Sequence, residues 1–351
     1  MRKINRKKIK KQRKIIIFAT LSLLLIMVTG YAAFNTNLNI SAKGNIIKQS
    51  ASGTLKKLCN TTTGDGLYKD EYEAGRCVYK GGNPNNYIIF NDEMWRIISV
   101  ENDNTLKIVR ENGITKMSWD AYGTTNNRFS TNEEDYCYGT SHIYFYGCNI
   151  WGDKYSTLDN NGNNVTEMPY ANDISDTYFL PETSSAASIY LNTTYYESLS
   201  SVSKEQITKH QFNVGFVAYP SQNTFSINKQ EEQKYQWLGL IGLPSAYDYA
   251  YATTNNACQG IFSYYTTSQS TCKTNIENYN WLVQTDYHFW TITALSGPNY
   301  RRGAWKVELD GSMDFPYVHN SDFNLRPVVF LSADIKITGQ GTEKQPYQIT
   351  K

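Results

Sequence analysis

The six cysteines are the residues of this 351-residue sequence whose number and spacing most directly indicate a chemistry. Their even number favours disulfides, and short loops cost the least entropy to close, so we expect each cysteine to pair with its neighbour in sequence. The expected pairs are Cys59–Cys77, Cys137–Cys148 and Cys258–Cys272. A zinc site is not expected, since no two cysteines have CxxC spacing and the chain contains only four histidines.

Oxygen-bearing side chains between residues 159 and 167 are spaced in a way that is similar to a calcium-binding loop. They are Asp159, Asn161, Asn163 and Glu167. Asn164 occupies the position where such loops require glycine, and the glutamate follows too soon. We therefore interpret the segment as a polar hairpin tip, and we expect no metal and no cofactor.

Catalytic signatures are the next class of motif to consider. The four histidines are scattered along the chain, and no Gly-x-Ser-x-Gly elbow or glycine-rich phosphate loop accompanies them. A triad is assembled in space, so spacing alone does not exclude one. No catalytic residue is predicted.

Tyrosine is unusually abundant, with 28 copies among many asparagines, serines and glycines. Rigid amphipathic rings beside small polar groups are typical of adaptable binding surfaces. An AT-rich genome would enrich tyrosine and asparagine without any selection for binding. Both interpretations remain open for the composition as a whole.

The N-terminus indicates where the rest of the chain is placed. Residues 1–14 carry nine basic residues and no acidic one, and residues 15–34 carry no charge. Twenty helical residues span roughly 30 Å, about one bilayer core, and the basic flank should stay in the cytoplasm. We expect a retained membrane anchor at 15–34, with the C-terminus outside the cell membrane. The alternative is secretion after cleavage near Ala32 and Ala33, because residues 30–36 resemble the signal ends of exported Gram-positive biofilm-fibre and camelysin-type proteins.

The charge of the exported part argues against nucleic acid as a partner. Without the nine N-terminal charges, 25 basic residues remain against 32 acidic ones, a net charge of about −7. A protein that binds the phosphate backbone of a nucleic acid requires clustered lysine and arginine. We therefore expect no nucleic-acid partner for this net-acidic part.

Hydrophobic patterning predicts short strands and a few helices, hence an α+β fold. A helix is expected over 184–199, another from Ser203 with a capping box to Gln206, and a third capped by Ser245 and Asp248. The expected boundaries are a basic tail with a membrane helix at 1–34, a stalk with a small disulfide loop at 35–84, the main domain at 85–338 and a tail at 339–351.

Several segments of the main domain, taken in order, resemble a family of exported surface proteins of Gram-positive bacteria (Bacillota). The matching segments are Phe90-Asn91-Asp92-Glu93-Met94-Trp95-Arg96-Ile97-Ile98, Ser185-Ala186-Ala187-Ser188-Ile189-Tyr190-Leu191-Asn192, Lys204-Glu205-Gln206-Ile207, Ile241-Gly242-Leu243-Pro244-Ser245-Ala246-Tyr247-Asp248-Tyr249, Phe289-Trp290-Thr291-Ile292, Trp305, Val307, Asp310-Gly311 and Leu325-Arg326-Pro327-Val328-Val329. That family is similar to C-type-lectin-like domains, including the formylglycine-generating-enzyme type. The resemblance implies a mixed domain with long, disulfide-clipped loops.

The resemblance also implies a ligand face near the end of the domain, at Tyr300, Arg302, Trp305 and His319. The sequence lacks the Glu-Pro-Asn and Trp-Asn-Asp calcium sets of lectins and the close cysteine pair of formylglycine-generating enzymes, so we expect neither chemistry. The expected function is non-enzymatic binding or adhesion to glycan, envelope polymer or protein. The alternatives are an extracellular enzyme on the same scaffold and a structural envelope component.

Overall fold

The computed structural model of the chain describes residues 50–120, 147–152, 184–218, 225–259, 272, 275–296 and 302–350. Residues 50–351 fall into a single compact unit. Within the described ranges, no helix is long and apolar enough to cross a bilayer. The predicted membrane segment at 15–34 and the calcium-like segment at 159–167 both lie outside these ranges.

Helices in the described part of the chain are short. They are α1 Ala51–Lys56, α2 Ala186–Tyr190, α3 Tyr196–Ser198, α4 Ser201–Gln206, α5 Phe225–Gln233 and α6 Ala246–Tyr251. A π-helical turn at Leu191–Tyr195 joins α2 to α3, so the predicted helix over 184–199 is present as one helical run. Single 3₁₀ turns lie at Asn256–Cys258 and Ile276–Asn278.

Strands make up most of the remaining regular structure, and together with the helices they confirm the α+β prediction. They are β1 Gly66–Lys69, β2 Cys77–Lys80, β3 Tyr87–Phe90, β4 Glu93–Val100, β5 Leu106–Arg110, β6 Ile207–Thr208, β7 His210–Asn213, β8 Phe216–Ala218, β9 Gln236–Gly239, β10 Ile241–Gly242, β11 Phe289–Ser296, β12 Ala304–Val307, β13 Met313–Asp314, β14 Val328–Leu331, β15 Lys336–Thr338 and β16 Tyr347–Thr350.

The largest sheet has the order β10-β14-β5-β4-β3-β16-β15, with β1 and β2 attached through β4 and with β6 attached to β14. Its pairs are antiparallel except for β16 with β3. A second sheet has the order β13-β12-β11-β8, and β7 pairs with β9 in a separate ribbon. A turn at Asp310-Gly311 connects β12 to β13, where Glu308 N–H donates to the Ser312 carbonyl.

The structure gives different boundaries for the main domain from those that the sequence predicts. Residues 50–84 belong to the same compact unit, because α1 begins with a hydrogen bond from Ala51 N–H to the Ile335 carbonyl and β2 pairs with β4. Within the predicted tail, β16 pairs with both β3 and β15. Both segments contain too few apolar residues for local patterning to assign them to the main domain. Their pairing with strands of the large sheet makes them part of it.

One helix cap also differs from the prediction. The fourth helix is capped by Ser200, whose hydroxyl accepts from Ser203 N–H, so Ser203 lies inside the helix. Three of the four residues from 200 to 203 are serines, and Ser200 is the one with extended backbone after the preceding helix ends. The predicted capping box of Ser245 and Asp248 is present as expected.

The core is rich in tryptophan. Trp119, Trp290 and Trp305 are fully buried, and each indole N–H donates to a backbone carbonyl, those of Thr291, Met117 and Val217 respectively. Buried indoles are stable when the ring packs and the N–H finds an acceptor. The first two bonds tie the second sheet to the segment that follows β5, and the third joins β12 to β8 within that sheet.

Disulfides form between cysteines that are neighbours in sequence, as predicted. Cys59–Cys77 and Cys258–Cys272 both form. Cys148 is disulfide-bonded as well, and its expected partner Cys137 lies outside the described residues.

Candidate functional site

The predicted ligand face is only partly within the described residues, because Tyr300 lies outside them. Arg302 and His319 are half-buried and close in the backbone, since Val318 N–H donates to the Arg302 carbonyl over 2.7 Å. The ring of His319 stacks on Tyr317, whose side chain is 51 % exposed. This surface therefore presents one exposed aromatic ring beside an imidazole, with the backbone of Arg302 next to them.

Trp305, the fourth residue of that predicted face, lies in the core. Its side chain is fully buried, packs edge-on against Phe315 and donates to the Val217 carbonyl. It supports the strand beneath the face and offers no surface to a ligand in this conformation.

Concave regions away from this face include a charged one and a polar one. The first, the charged cavity, has a volume of about 270 Å³ and lies between the large sheet and α6. Its charged lining residues are Glu73, Arg76, Glu101, Lys107, His210 and Asp248. The ring of His210 stacks on Phe330 and contacts Asp103 at the edge of the cavity.

Both the arginine and the lysine of the charged cavity are paired with carboxylates. Arg76 is 5 % exposed and contacts Asp70 at 2.7 Å and Glu101 at 2.9 Å, and Lys107 contacts Asp248 at 2.6 Å. Burial alone would lower the pKa of the Arg76 guanidinium, but Glu101, Glu73 and Asp70 outweigh it and raise the pKa well above its usual value. Removing one partner of such a buried pair leaves an uncompensated charge.

Glu232 on α5 lies behind this network. It is 1 % exposed, and its carboxylate accepts hydrogen bonds from the Thr293 hydroxyl and from Tyr247 N–H. Burial raises the pKa of Glu232 to about 7, with Asp248 acting in the same direction and the Thr293 bond opposing it. No charged partner contacts this carboxyl among the described residues, so it is partly protonated at neutral pH.

The second concave region, the threonine cleft, has a volume of about 720 Å³. One wall is the loop that precedes β1, the floor is the β1–β2 hairpin, and the other wall is the segment that follows α6. Hydroxyl and amide groups dominate the two walls: Asn60, Thr61, Thr62, Thr63, Thr253, Thr254, Asn256 and Gln259. Such groups donate and accept hydrogen bonds in many directions, as a hydroxyl-rich ligand requires.

Local links hold the first wall of the threonine cleft. The Cys59–Cys77 disulfide fixes its start, Tyr68 donates to the Gly64 carbonyl, and the Asp65 carboxylate accepts from Gly82 and Asn83 N–H. The Cys258–Cys272 disulfide ties the opposite wall. The two walls of the cleft are therefore held in place by disulfides and hydrogen bonds.

The close approach of these segments depends on glycine. Gly81 has φ +120°, a conformation that residues with a side chain rarely adopt, and a Cβ there would lie 2.1 Å from the Asp65 carboxylate. Its N–H donates to the Ala252 carbonyl, which joins the floor to the second wall.

Lys80, the last residue of β2, forms part of the floor of the threonine cleft. It is 5 % exposed, and its ammonium lies 3.6 Å from the centre of the Tyr251 ring and 5.5 Å from that of Tyr68. Burial lowers the pKa of Lys80 to about 8, although Glu71 and Asp70 act in the opposite direction. Its ammonium has neither a hydrogen bond nor an ion pair within the part of the chain that the structure describes.

Sequence reasoning did not identify the threonine cleft. The run Asn60-Thr61-Thr62-Thr63-Gly64 was the available signal, but it lies in the segment predicted as stalk. Lys80 ends a strand in which all four residues are buried, whereas alternation would predict one exposed face. Among the described residues, no cluster of His, Cys, Asp and Glu is arranged to hold a metal ion.

Comparisons of the chain with protein-family models, with curated proteins and with solved structures find no match.

Proposed function

We propose that the protein is a cell-surface binding module whose ligand, a glycan or a hydroxyl-rich envelope polymer, occupies the threonine cleft. The observation that carries this proposal is the lining of the cleft: hydroxyl and amide groups on two walls, with Tyr68 and Lys80 between them. Tyrosine rings contact the apolar faces of sugars, while hydroxyls and amides replace their water shell.

The proposal includes an exported location for residues 50–351, with residues 15–34 as the membrane anchor or the signal segment. The basic N-terminus followed by an uncharged segment supports this location, as do the Cys59–Cys77 and Cys258–Cys272 disulfides. Protease added to intact protoplasts should degrade the domain. Protection of the whole chain would contradict the orientation.

A C-type-lectin-like arrangement of the main domain is part of the same proposal. The order of the resembling segments supports it, as does the pairing of the late strand β16 with the early strand β3. The predicted face around Arg302 and His319 is the competing location for the ligand, favoured by the exposed Tyr317 ring.

A glycan screen with cleft-filling and face variants of the full chain tests the proposal. Thr62→Trp fills the threonine cleft from an exposed wall position, and it should abolish binding while leaving the thermal midpoint unchanged. The double variant Arg302→Ala with His319→Ala should retain binding. The reverse pattern would move the ligand to the predicted face, and the absence of any bound glycan or envelope polymer would contradict the proposed function.

A further inference from the structure

Lys80 differs from every other buried cation in the described part of the chain. Arg76, Arg96, Lys107, Lys229, Lys306 and Arg326 each have a carboxylate within 4.0 Å. Lys80 is as deeply buried as these residues, yet its ammonium lies over two aromatic rings and forms no ion pair among the described residues, although the charges of Glu71 and Asp70 favour its protonated form. Burying a charge without an ion pair is costly, so an anion bound beside Lys80 would offset part of that cost.

The position of the ammonium shows where a partner can come from. Tyr251 from α6 and Tyr68 from β1 cover part of the lysine, while Lys80 itself lines the threonine cleft. An aromatic ring attracts the ammonium but is not a conventional hydrogen-bond acceptor. The three N–H donors of the ammonium therefore find no conventional acceptor in the two rings. A group bound in the cleft is therefore placed to accept from Lys80.

We propose that the ligand of the threonine cleft carries an anionic group that pairs with Lys80, so that the ligand is an acidic carbohydrate or acidic hydroxyl-rich polymer. This inference rests on the proposed function, because it names the ligand class for the same cleft. The hydroxyls and amides of the walls would bind the hydroxyls that surround the anionic group.

The charges around the cleft agree with an anionic ligand. Its charged lining residues are Lys69, Glu71 and Lys80, a net charge of +1 in an exported part of about −7. Glu71 is exposed, and its charge favours the protonated form of Lys80 without forming an ion pair among the described residues. Lysine is a compact charge without the planar fork of arginine, so carboxylate, phosphate and sulfate are all acceptable partners.

Binding should be linked to the protonation of Lys80. An anion in the cleft opposes the burial effect and raises the pKa of Lys80 from about 8 in the free protein. Affinity for an acidic ligand should therefore be highest below pH 8 and fall as the pH rises above it. The titratable groups facing Lys80 are Tyr68 from β1, Asp70 and Glu71 from the β1–β2 turn, and Tyr251 from α6, and both tyrosines have raised pKa values because of burial.

A glycan array with matched backbones tests the inference on the full chain. Each backbone is present as a neutral form and with a carboxylate, phosphate or sulfate at one position, which distinguishes the possible sources of the anion. The acidic forms should bind at least tenfold more tightly than their neutral parents at pH 6.5. Equal binding of neutral and acidic forms would overturn this inference and leave the proposed function standing, whereas no binding to any form would overturn the proposed function itself.

Paired variants then separate Lys80 from general surface charge. Lys80→Gln should weaken binding of the acidic glycans at least tenfold and remove the fall in affinity above pH 8. Lys69→Gln, which makes the same change at an exposed lining position, should weaken binding less than threefold. Equal effects of the two variants, with unchanged thermal midpoints, would show that Lys80 makes no specific contact.

Discussion

The charged cavity and the threonine cleft each contain a buried lysine beside an aromatic ring, yet the two lysines are in opposite electrostatic situations. Lys107 in the charged cavity lies over Phe330 and pairs with Asp248 at 2.6 Å. Lys80 in the threonine cleft lies over Tyr251 and has no carboxylate partner among the described residues. The charge of Lys107 is paired within the chain, whereas that of Lys80 has no ion-pair partner in the described ranges.

This difference separates charges that stabilise the fold from a charge that is available to a ligand. The Arg76 network joins the β1–β2 hairpin, the end of β4 and α6, so it holds several elements together. Lys80 forms no ion pair with another element in the described part of the chain, and its ammonium contacts the rings of Tyr68 and Tyr251. Substitutions in the two regions should therefore differ in what they damage.

The largest effect is expected from breaking the charged cavity. Arg76→Met leaves Asp70, Glu101 and Asp248 without a shared cation, and it should reduce the free energy of unfolding by about 3–5 kcal/mol. Denaturant unfolding measures this. Lys204→Met is the control, because its partner Glu197 is 73 % exposed and the loss should stay below about 1 kcal/mol. Similar losses in both variants would contradict the assignment of Arg76 to a buried network.

The next effect concerns the wall of the threonine cleft. Replacing Cys59 and Cys77 together by serine opens an 18-residue loop and should cost about 3 kcal/mol of stability. Because this disulfide fixes the loop that carries Thr61 to Thr63, the variant should also lose glycan binding at temperatures where it remains folded. Full binding by the folded double variant would show that the wall is not part of the ligand site.

A pH-dependent effect is expected at Glu232. Its pKa is about 7 in the folded chain and 4.5 in the unfolded one, so the folded state retains a proton that the unfolded state releases. The protonated Glu232 carboxyl therefore contributes to the free energy of unfolding below pH 4.5. This contribution, at most about 3 kcal/mol, is lost as the pH rises from 4.5 to 7. Glu232→Gln should gain stability relative to wild type across that interval in denaturant unfolding.

Glu231→Gln provides the matched control for that pH effect. Its carboxylate lies one position earlier on α5, is 37 % exposed and pairs with Lys234. Its stability should follow the wild-type pH profile. A parallel profile for Glu232→Gln would mean that this carboxyl is not desolvated as described.

The smallest change in stability is expected at Lys80. Lys80→Met removes a buried charge but also the contact with Tyr251, so stability at pH 7 should stay within about 1 kcal/mol of wild type. Lys107→Met makes the same substitution at the paired lysine and should cost about 3 kcal/mol. Equal losses would remove the distinction between the two regions.

Local sequence predicted those features whose causes are local. The Ser245 and Asp248 capping box, the helical run from 186 to 198 and the disulfides of Cys59 and Cys258 each depend on residues close in sequence. The cap of α4 was predicted at the wrong serine because several neighbouring serines can supply the same hydrogen bond.

The candidate site was harder to predict because it depends on contacts between distant segments. Tyr251 meets Lys80 across 171 positions of the chain, and Gly81 joins Ala252 through one hydrogen bond. Nothing near Lys80 in the sequence indicates that its strand is covered on both faces. The resemblance predicted a surface at Arg302 and His319, and it gave no information about the β1–β2 hairpin.

The most direct test of this account is the pKa of the Lys80 side chain in the free full-length protein. It can be measured by ¹⁵N NMR of the lysine Nζ during a pH titration, with the signal assigned by its loss in Lys80→Met. The account predicts a midpoint of about 8, because the ammonium is buried without a carboxylate partner. A midpoint near the ordinary 10.5 would contradict it, because Lys80 would then be solvated or already paired.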